Sequence, residues 1–123
     1  EKSITLYGTG KQVRDVLYVG DLVALYEKAI TNMKKVKGRA YNVGGGPENT
    51  LSLLEFLPLL ERELNIPIEY SFSSVRAGDQ PIFVADTRLV TEQLGWSPAT
   101  NFLEGFARMR AWMDKHKESL LPF

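Results

Sequence analysis

The period of the apolar residues changes abruptly near residue 20. Val16, Leu17, Tyr18 and Val19 run without interruption, as in a strand buried on both faces, whereas Leu22, Leu25, Tyr26, Ala29, Ile30 and Met33 fall on one stripe of a 3.6-residue helix. A strand that passes almost at once into an amphipathic helix must find layers to bury both, which points to helices packed on a sheet. The rest of the chain repeats the alternation. Ile4 to Tyr7, Tyr41 to Val43, Ile66 to Phe72 and Ile82 to Ala85 are short β-prone runs, and the glycine turn Gly8-Thr9-Gly10 separates the first from the strand-like run Val13 to Val19.

Helix boundaries are marked as well. Asp21 is the expected cap of the first helix; Lys34, Lys35 and Lys37 sit at the negative end of its macrodipole and Gly38 stops it. Ser52 and Glu55 have the spacing of a capping box, opening a helix with Leu53, Phe56, Leu57, Leu60 and Leu64 inward, and Pro58 inside it predicts a kink or break. Asp86 is the expected cap of a short helix ended by Gly95. Asn101 and Glu104 open a last helix with Phe102, Phe106, Met109 and Met113 on one face, and the tail from Leu120 is expected to fray. The strands are too few for a complete doubly wound sheet, so the expected fold is α/β, a small mixed sheet with helices, in one domain covering residues 1–123.

Fifteen basic residues balance fifteen acidic ones, so no overall field gathers nucleic acid or an anionic membrane, and any anion must be held locally. The absence of cysteine excludes disulfides and thiolate metal sites and fits a cytoplasmic setting. No run of 18 apolar residues is present to span a bilayer. The opening Glu1-Lys2-Ser3-Ile4 has neither an initiator methionine nor signal-peptide character, and position 1 is expected to be a cut within a longer polypeptide.

Several residues invite chemical readings. Gly8-Thr9-Gly10-Lys11 lacks the spacing of a phosphate loop, with Thr5 where its first glycine should be and Gln12 at its hydroxyl position. Tyr7 and Lys11 have the four-residue spacing of a dehydrogenase catalytic pair, but the two intervening glycines oppose the helix that would put both on one face. Arg14 and Arg76 are different: two guanidinium forks converging from distant segments would grip a diphosphate. The competing reading pairs each on the surface with its nearby acid, Arg14 with Asp15 and Arg76 with Asp79. Asn42 and Asn49 bracket the turn Gly44-Gly45-Gly46-Pro47, a position where asparagine stabilises turns. Trp96 and Trp112 read as packing residues and His116 as a solvated residue near a helix end, and no histidines or carboxylates have metal-ligand spacing.

Taken in order, Ile4 to Leu22 with its Gly-Thr-Gly-Lys-Gln-Val-Arg14-Asp, then Ala40-Tyr-Asn-Val-Gly-Gly-Gly, Asn49-Thr-Leu-Ser-Leu-Leu-Glu55, Arg76-Ala-Gly-Asp79-Gln, and Asp86-Thr-Arg with Leu94-Gly-Trp-Ser-Pro98 and Glu104-Gly resemble the extended short-chain dehydrogenases/reductases that act on nucleotide sugars. The resemblance covers nearly the whole chain and implies the C-terminal, substrate-binding domain of an extended Rossmann-type enzyme, with the Rossmann domain absent. It implies that Arg14 and Arg76 hold a nucleotide-sugar diphosphate, Asp79 the ribose, Tyr7 a place beside the base and Asn49 a place near the phosphates. NAD and the catalytic Tyr and Lys of the family would belong to the missing domain, whose helices would also form the usual homodimer. The chain itself is then expected to be inactive, to bind no NAD, and to be a monomer or to associate non-natively through an uncovered face or a strand edge carrying Leu6. The family's activities include epimerisation, 4,6-dehydration and decarboxylation of nucleotide sugars, and a non-catalytic binding module is the reading from a different class. Gly20 departs from the family, which usually has an acid before Asp21.

Overall fold

The computed structural model describes residues 3–120, so the expectations about a cut at residue 1 and about the tail at 121–123 lie outside the described residues. Strand β1 (Ile4–Tyr7) pairs in parallel with β4 (Tyr70–Ser73), and Leu6 within it is buried. Strand β2 (Val13–Asp15) lies between β3 (Thr50–Ser52), to which it is antiparallel, and β5 (Ile82–Phe83), to which it is parallel. The sheet is therefore mixed, as expected, but among the described residues the strands form two small sheets rather than one. Gly8 and Gly10, with φ of +81° and +72°, turn the chain out of the first sheet and into the second.

The second strand is shorter than its apolar run. Pairing ends at Asp15, and Val16 donates its N–H to the Asn49 carbonyl at 2.9 Å. Helix α1 (Val19–Thr31) starts before Asp21, with Tyr18 at the capping position and no side-chain cap. Asp21 is instead a buried tie: its carboxylate accepts from the Ala99 and Thr100 N–H groups at 3.0 and 2.9 Å and from the Thr100 hydroxyl at 3.0 Å. Its carbonyl accepts from the Trp96 indole at 2.9 Å. A carboxylate with three internal donors is better satisfied there than at an exposed helix end.

The expected helical stripe divides. Leu25 is buried with Leu22 and Ala29 beside it, packed on Val90, Leu94 and Trp96, whereas Tyr26, Ile30 and Met33 face outward. After Asn32 the chain continues into α2 (Met33–Val36), and Gly38 at φ +76° closes the segment. Tyr41 to Val43 is not a strand: Tyr41 and Val43 pack against the α1 core, but no described strand lies beside them to complete a ladder. After the triple glycine comes a single 3₁₀ turn, Pro47–Asn49.

Helix α3 (Leu53–Leu64) opens with the predicted capping box, Ser52 and Glu55 bonding reciprocally, and runs uninterrupted through Pro58. Pro58 lies mid-helix and is exposed, and its ring costs the bond to the Leu54 carbonyl without breaking the element. Ile66 to Phe72 contributes only its end to β4, because Asn65 leaves the helix with φ +53° and Ile68 donates to the Glu61 carboxylate. Ile82 to Ala85 likewise pairs only over Ile82–Phe83. Thr87, not Asp86, occupies the cap of α4 (Arg88–Leu94), while Gly95 ends that helix in the left-handed conformation, as its position predicts. Asn101 caps α5 (Phe102–Lys115) through the Glu104 N–H at 3.0 Å, but the Glu104 carboxylate turns to Arg108 rather than back to the cap. Helix α6 (Lys117–Leu120) follows, so Leu120 still belongs to a helix.

Candidate functional site

An open cleft of about 1190 Å³ lies between β1, the segment 76–79 and helix α5, a size that admits a nucleotide. One group of lining side chains is polar: Tyr7, Gln12, Arg14, Arg76 and Asp79. A second is aromatic, built on the edge contact of Phe56 with Phe102 at 5.7 Å and the stacking of Phe102 on Phe106 at 6.2 Å.

Four of the five residues proposed from sequence meet here. Tyr7 ends β1, and the Arg76 guanidinium lies over its ring, 3.7 Å from the centroid, a cation–π contact. Arg14, in the middle of β2, reaches Asp79 rather than its neighbour Asp15, with Nη2 to Oδ1 at 3.1 Å. Its Nη1 donates at 2.8 Å to the carbonyls of both Val13 and Gln80. The surface pairing of Arg14 with Asp15 and of Arg76 with Asp79 is thus absent. Asp15 faces the other way, accepting from the Ala85 and Gly46 N–H groups at 3.0 and 3.4 Å.

Asn49 does not line the cleft. It is buried, its Nδ2 donating to the Gly45 and Thr100 carbonyls at 3.0 and 3.3 Å and its Oδ1 accepting from the Phe102 N–H at 2.9 Å. All three bonds join backbone segments, which is the turn-stabilising role of asparagine extended across the fold. Gln12, which spacing alone did not single out, belongs to the polar group. Its Nε2 donates to the Tyr7 carbonyl at 2.6 Å and to Asp79 Oδ2 at 2.9 Å. The available signal was its place between a glycine turn and the strand that carries Arg14.

Tyr7 and Lys11, lying in a strand and the turn after it, cannot share a helix face. Trp96 is a core residue, as expected. Trp112 is not: it is 54% exposed, lines the cleft and stacks on His116 at 4.7 Å, which also brings that histidine out of full solvation. The triple-glycine turn does not offer a seat for the pyrophosphate of NAD. A dinucleotide needs a strand, a glycine-rich turn open to pyrophosphate and a helix N-terminus. Here a Cβ on Gly44 would lie 2.0 Å from the Asp15 carboxylate and one on Gly45 1.9 Å from the Val16 carbonyl, so an acid and a backbone oxygen already fill the approach. Among the described residues no cluster of His, Asp or Glu could hold a metal, and no helix is long and apolar enough to cross a membrane.

This α/β domain brings two arginines from distant segments to one cleft. The family model described as GDP-mannose 4,6 dehydratase matches residues 1–109, and the chain belongs to this family of NAD-dependent nucleotide-sugar epimerases and dehydratases. It is 43% identical over 111 residues to CDP-paratose 2-epimerase of Salmonella typhi, which covers 90% of the chain and 33% of that protein. It is 34% identical to dTDP-glucose 4,6-dehydratase of Streptomyces griseus, over 97% of the chain and 36% of the relative. The structure of a UDP-glucuronic acid 4-epimerase from Bacillus cereus, in complex with UDP-glucuronic acid and NAD, superposes with a TM-score of 0.77 at 26% identity, covering 86% of the chain and 33% of its own. The chain spans about a third of the length of the curated relatives it matches.

Proposed function

We propose that residues 1–123 form the nucleotide-sugar-binding C-terminal domain of an NAD-dependent epimerase resembling CDP-paratose 2-epimerase. Arg14 and Arg76 hold the diphosphate, Asp79 the ribose, and Tyr7 lies beside the base. The observation that carries this reading is the convergence of two arginines from segments far apart in sequence on one cleft, next to a carboxylate and an aromatic ring. Guanidinium forks meet phosphate oxygens with charge-assisted hydrogen bonds, and the carboxylate accepts from hydroxyls. NAD and the hydride chemistry belong, in this reading, to a cofactor domain outside these residues, while this domain binds and orients the substrate.

The 43% identity to the CDP-paratose enzyme favours epimerisation over the dehydratase reading that the 34% relative supports, although both would use the same nucleotide contacts. The test is calorimetric titration of the whole protein with a nucleoside diphosphate. Arg14→Ala and Arg76→Ala should each weaken binding by about 1.5 to 3 kcal/mol, the value of a charged hydrogen bond, with NAD still bound. Parental affinity in both variants would overturn the proposal.

A further inference from the structure

We propose that Gln12 is a positioning residue that holds the Asp79 carboxylate in the orientation in which it receives a ribose diol. This rests on the reading of Asp79 given above. The two oxygens of Asp79 are held separately, Oδ2 by Gln12 Nε2 at 2.9 Å and Oδ1 by Arg14 Nη2 at 3.1 Å. Both donors come from the same short stretch of chain, one at the entry of β2 and one within it. A carboxylate oxygen has two lone pairs, so each keeps one free to accept from a ligand. Two acceptors side by side, with their plane fixed, match the two adjacent hydroxyls of a ribose.

The amide is placed at a cost that the fold alone does not require. Gln12 Oε1 is buried without a hydrogen-bond partner, the only such side-chain atom among the described residues. Turning the amide over gives no relief, because Oε1 would then face the Tyr7 carbonyl and Asp79 Oδ2, both acceptors. A buried unsatisfied acceptor is unfavourable, and an apolar side chain of the same shape would avoid it. Position 8 is also adapted to the amide: Gly8 has φ +81°, and a Cβ there would lie 2.7 Å from Gln12 Nε2. The second bond of Nε2, to the Tyr7 carbonyl, ties the Asp79 loop to the end of β1, so the ribose and base contacts are set by one amide.

The experiment titrates the whole protein with CDP and with its 2′,3′-dideoxy analogue, for the parent, Gln12→Met and Gln12→Glu. Methionine keeps the length and removes the polar atoms, and glutamate keeps the shape but replaces the donor by an acceptor. The parent should prefer CDP, and both variants should lose about tenfold in CDP affinity while holding the dideoxy analogue within about twofold. The melting temperature of Gln12→Met should stay within about 4 °C of the parent. Equal losses for the two ligands, or a fall in melting temperature with an unchanged preference for CDP, would overturn the proposal and leave Gln12 a structural residue. A parent that binds both ligands equally would remove the Asp79 contact and the role of Gln12 with it. A parent that binds neither would overturn the assignment of the cleft itself.

Discussion

Arg14 passes over the acid beside it in sequence and pairs with Asp79, 65 residues further on, at 3.1 Å. One strand thereby faces two ways: Arg14 looks into the cleft, while Asp15 looks back to hold the glycine turn and the start of the segment after β5. Arg14→Lys should not restore the site. A lysine ammonium cannot reproduce the planar fork that serves the Val13 and Gln80 carbonyls and the Asp79 carboxylate at once. The expected result in calorimetry is a loss of nucleoside diphosphate affinity for Arg14→Lys close to that of Arg14→Ala. Full rescue by lysine would mean that charge alone suffices.

Asn49→Ala is expected to act on stability rather than on binding. It removes three hydrogen bonds and leaves the Gly45 and Thr100 carbonyls and the Phe102 N–H without their partner. The expected loss is about 2 to 4 kcal/mol in chemical denaturation. Nucleotide affinity measured where the variant is folded should equal the parent's. A stable variant with weakened nucleotide binding would return Asn49 to the vicinity of the phosphates.

These two residues mark how far the sequence was legible. Features settled within one turn of chain were readable, such as the Ser52–Glu55 capping box, the Asn101 cap and the left-handed Gly95, because both partners lie within a few residues. Partners set by tertiary packing were not. Nothing local to Asp21 indicates that Thr100 will claim its carboxylate, and nothing local to Gln12 indicates Asp79. The four cleft residues named from sequence came through family likeness, since their spacing alone favoured plain surface pairs. Tyr41 to Val43 shows the opposite failure: strand propensity was present, but a strand exists only beside another, and none of the described strands lies there.

Gly45 in the triple turn and Gly95 at a helix end should respond differently to substitution. Gly45→Ala would put a Cβ 1.9 Å from the Val16 carbonyl, a backbone atom that cannot swing aside, whereas a Cβ on Gly95 meets nothing within 4 Å. Gly95→Ala therefore bears only the strain of φ +58°, about 1 to 2 kcal/mol. Gly45→Ala should exceed about 4 kcal/mol and leave little folded protein, as read by denaturation and near-ultraviolet dichroism. Comparable midpoints for the two variants would show that the turn relaxes.

The Asp86–Arg88 contact predicts a particular acid limb. Hydrogen bonds from the Arg88 guanidinium, then from the Arg88 N–H, push the Asp86 carboxyl down to about 2. Because the folded value is depressed, the stability contributed is present in full above the ordinary aspartate value of about 4 and is lost as pH falls towards about 2. Carboxyl NMR titration should find the Asp86 midpoint near 2, and Arg88→Ala should move it up towards the ordinary value. An unchanged midpoint in that variant would assign the depression to another cause.

Produced by itself, the 123-residue chain is expected to self-associate. A strand edge carrying Leu6 is not the place to test it, because Leu6 is 4% exposed and part of the core, so a charge there would unfold the protein rather than probe its surface. The apolar surface lies elsewhere. Val19, Val23, Tyr26 and Ile30 are all exposed on α1, at successive spacings of four, three and four residues, which place them on one face. A stripe of this kind on a lone domain favours self-association, and burying it excludes water from four side chains at roughly 25 cal/mol per Å². Light scattering should show mass rising with concentration for the parent chain, and Val23→Lys with Ile30→Lys should hold it at the monomer mass without changing the melting temperature. Both positions are more than 45% exposed, so the lysines meet solvent, not core. If the double variant associates as strongly as the parent, the α1 face takes no part, and the edge of β1, which among the described residues pairs only with β4, becomes the surface to block.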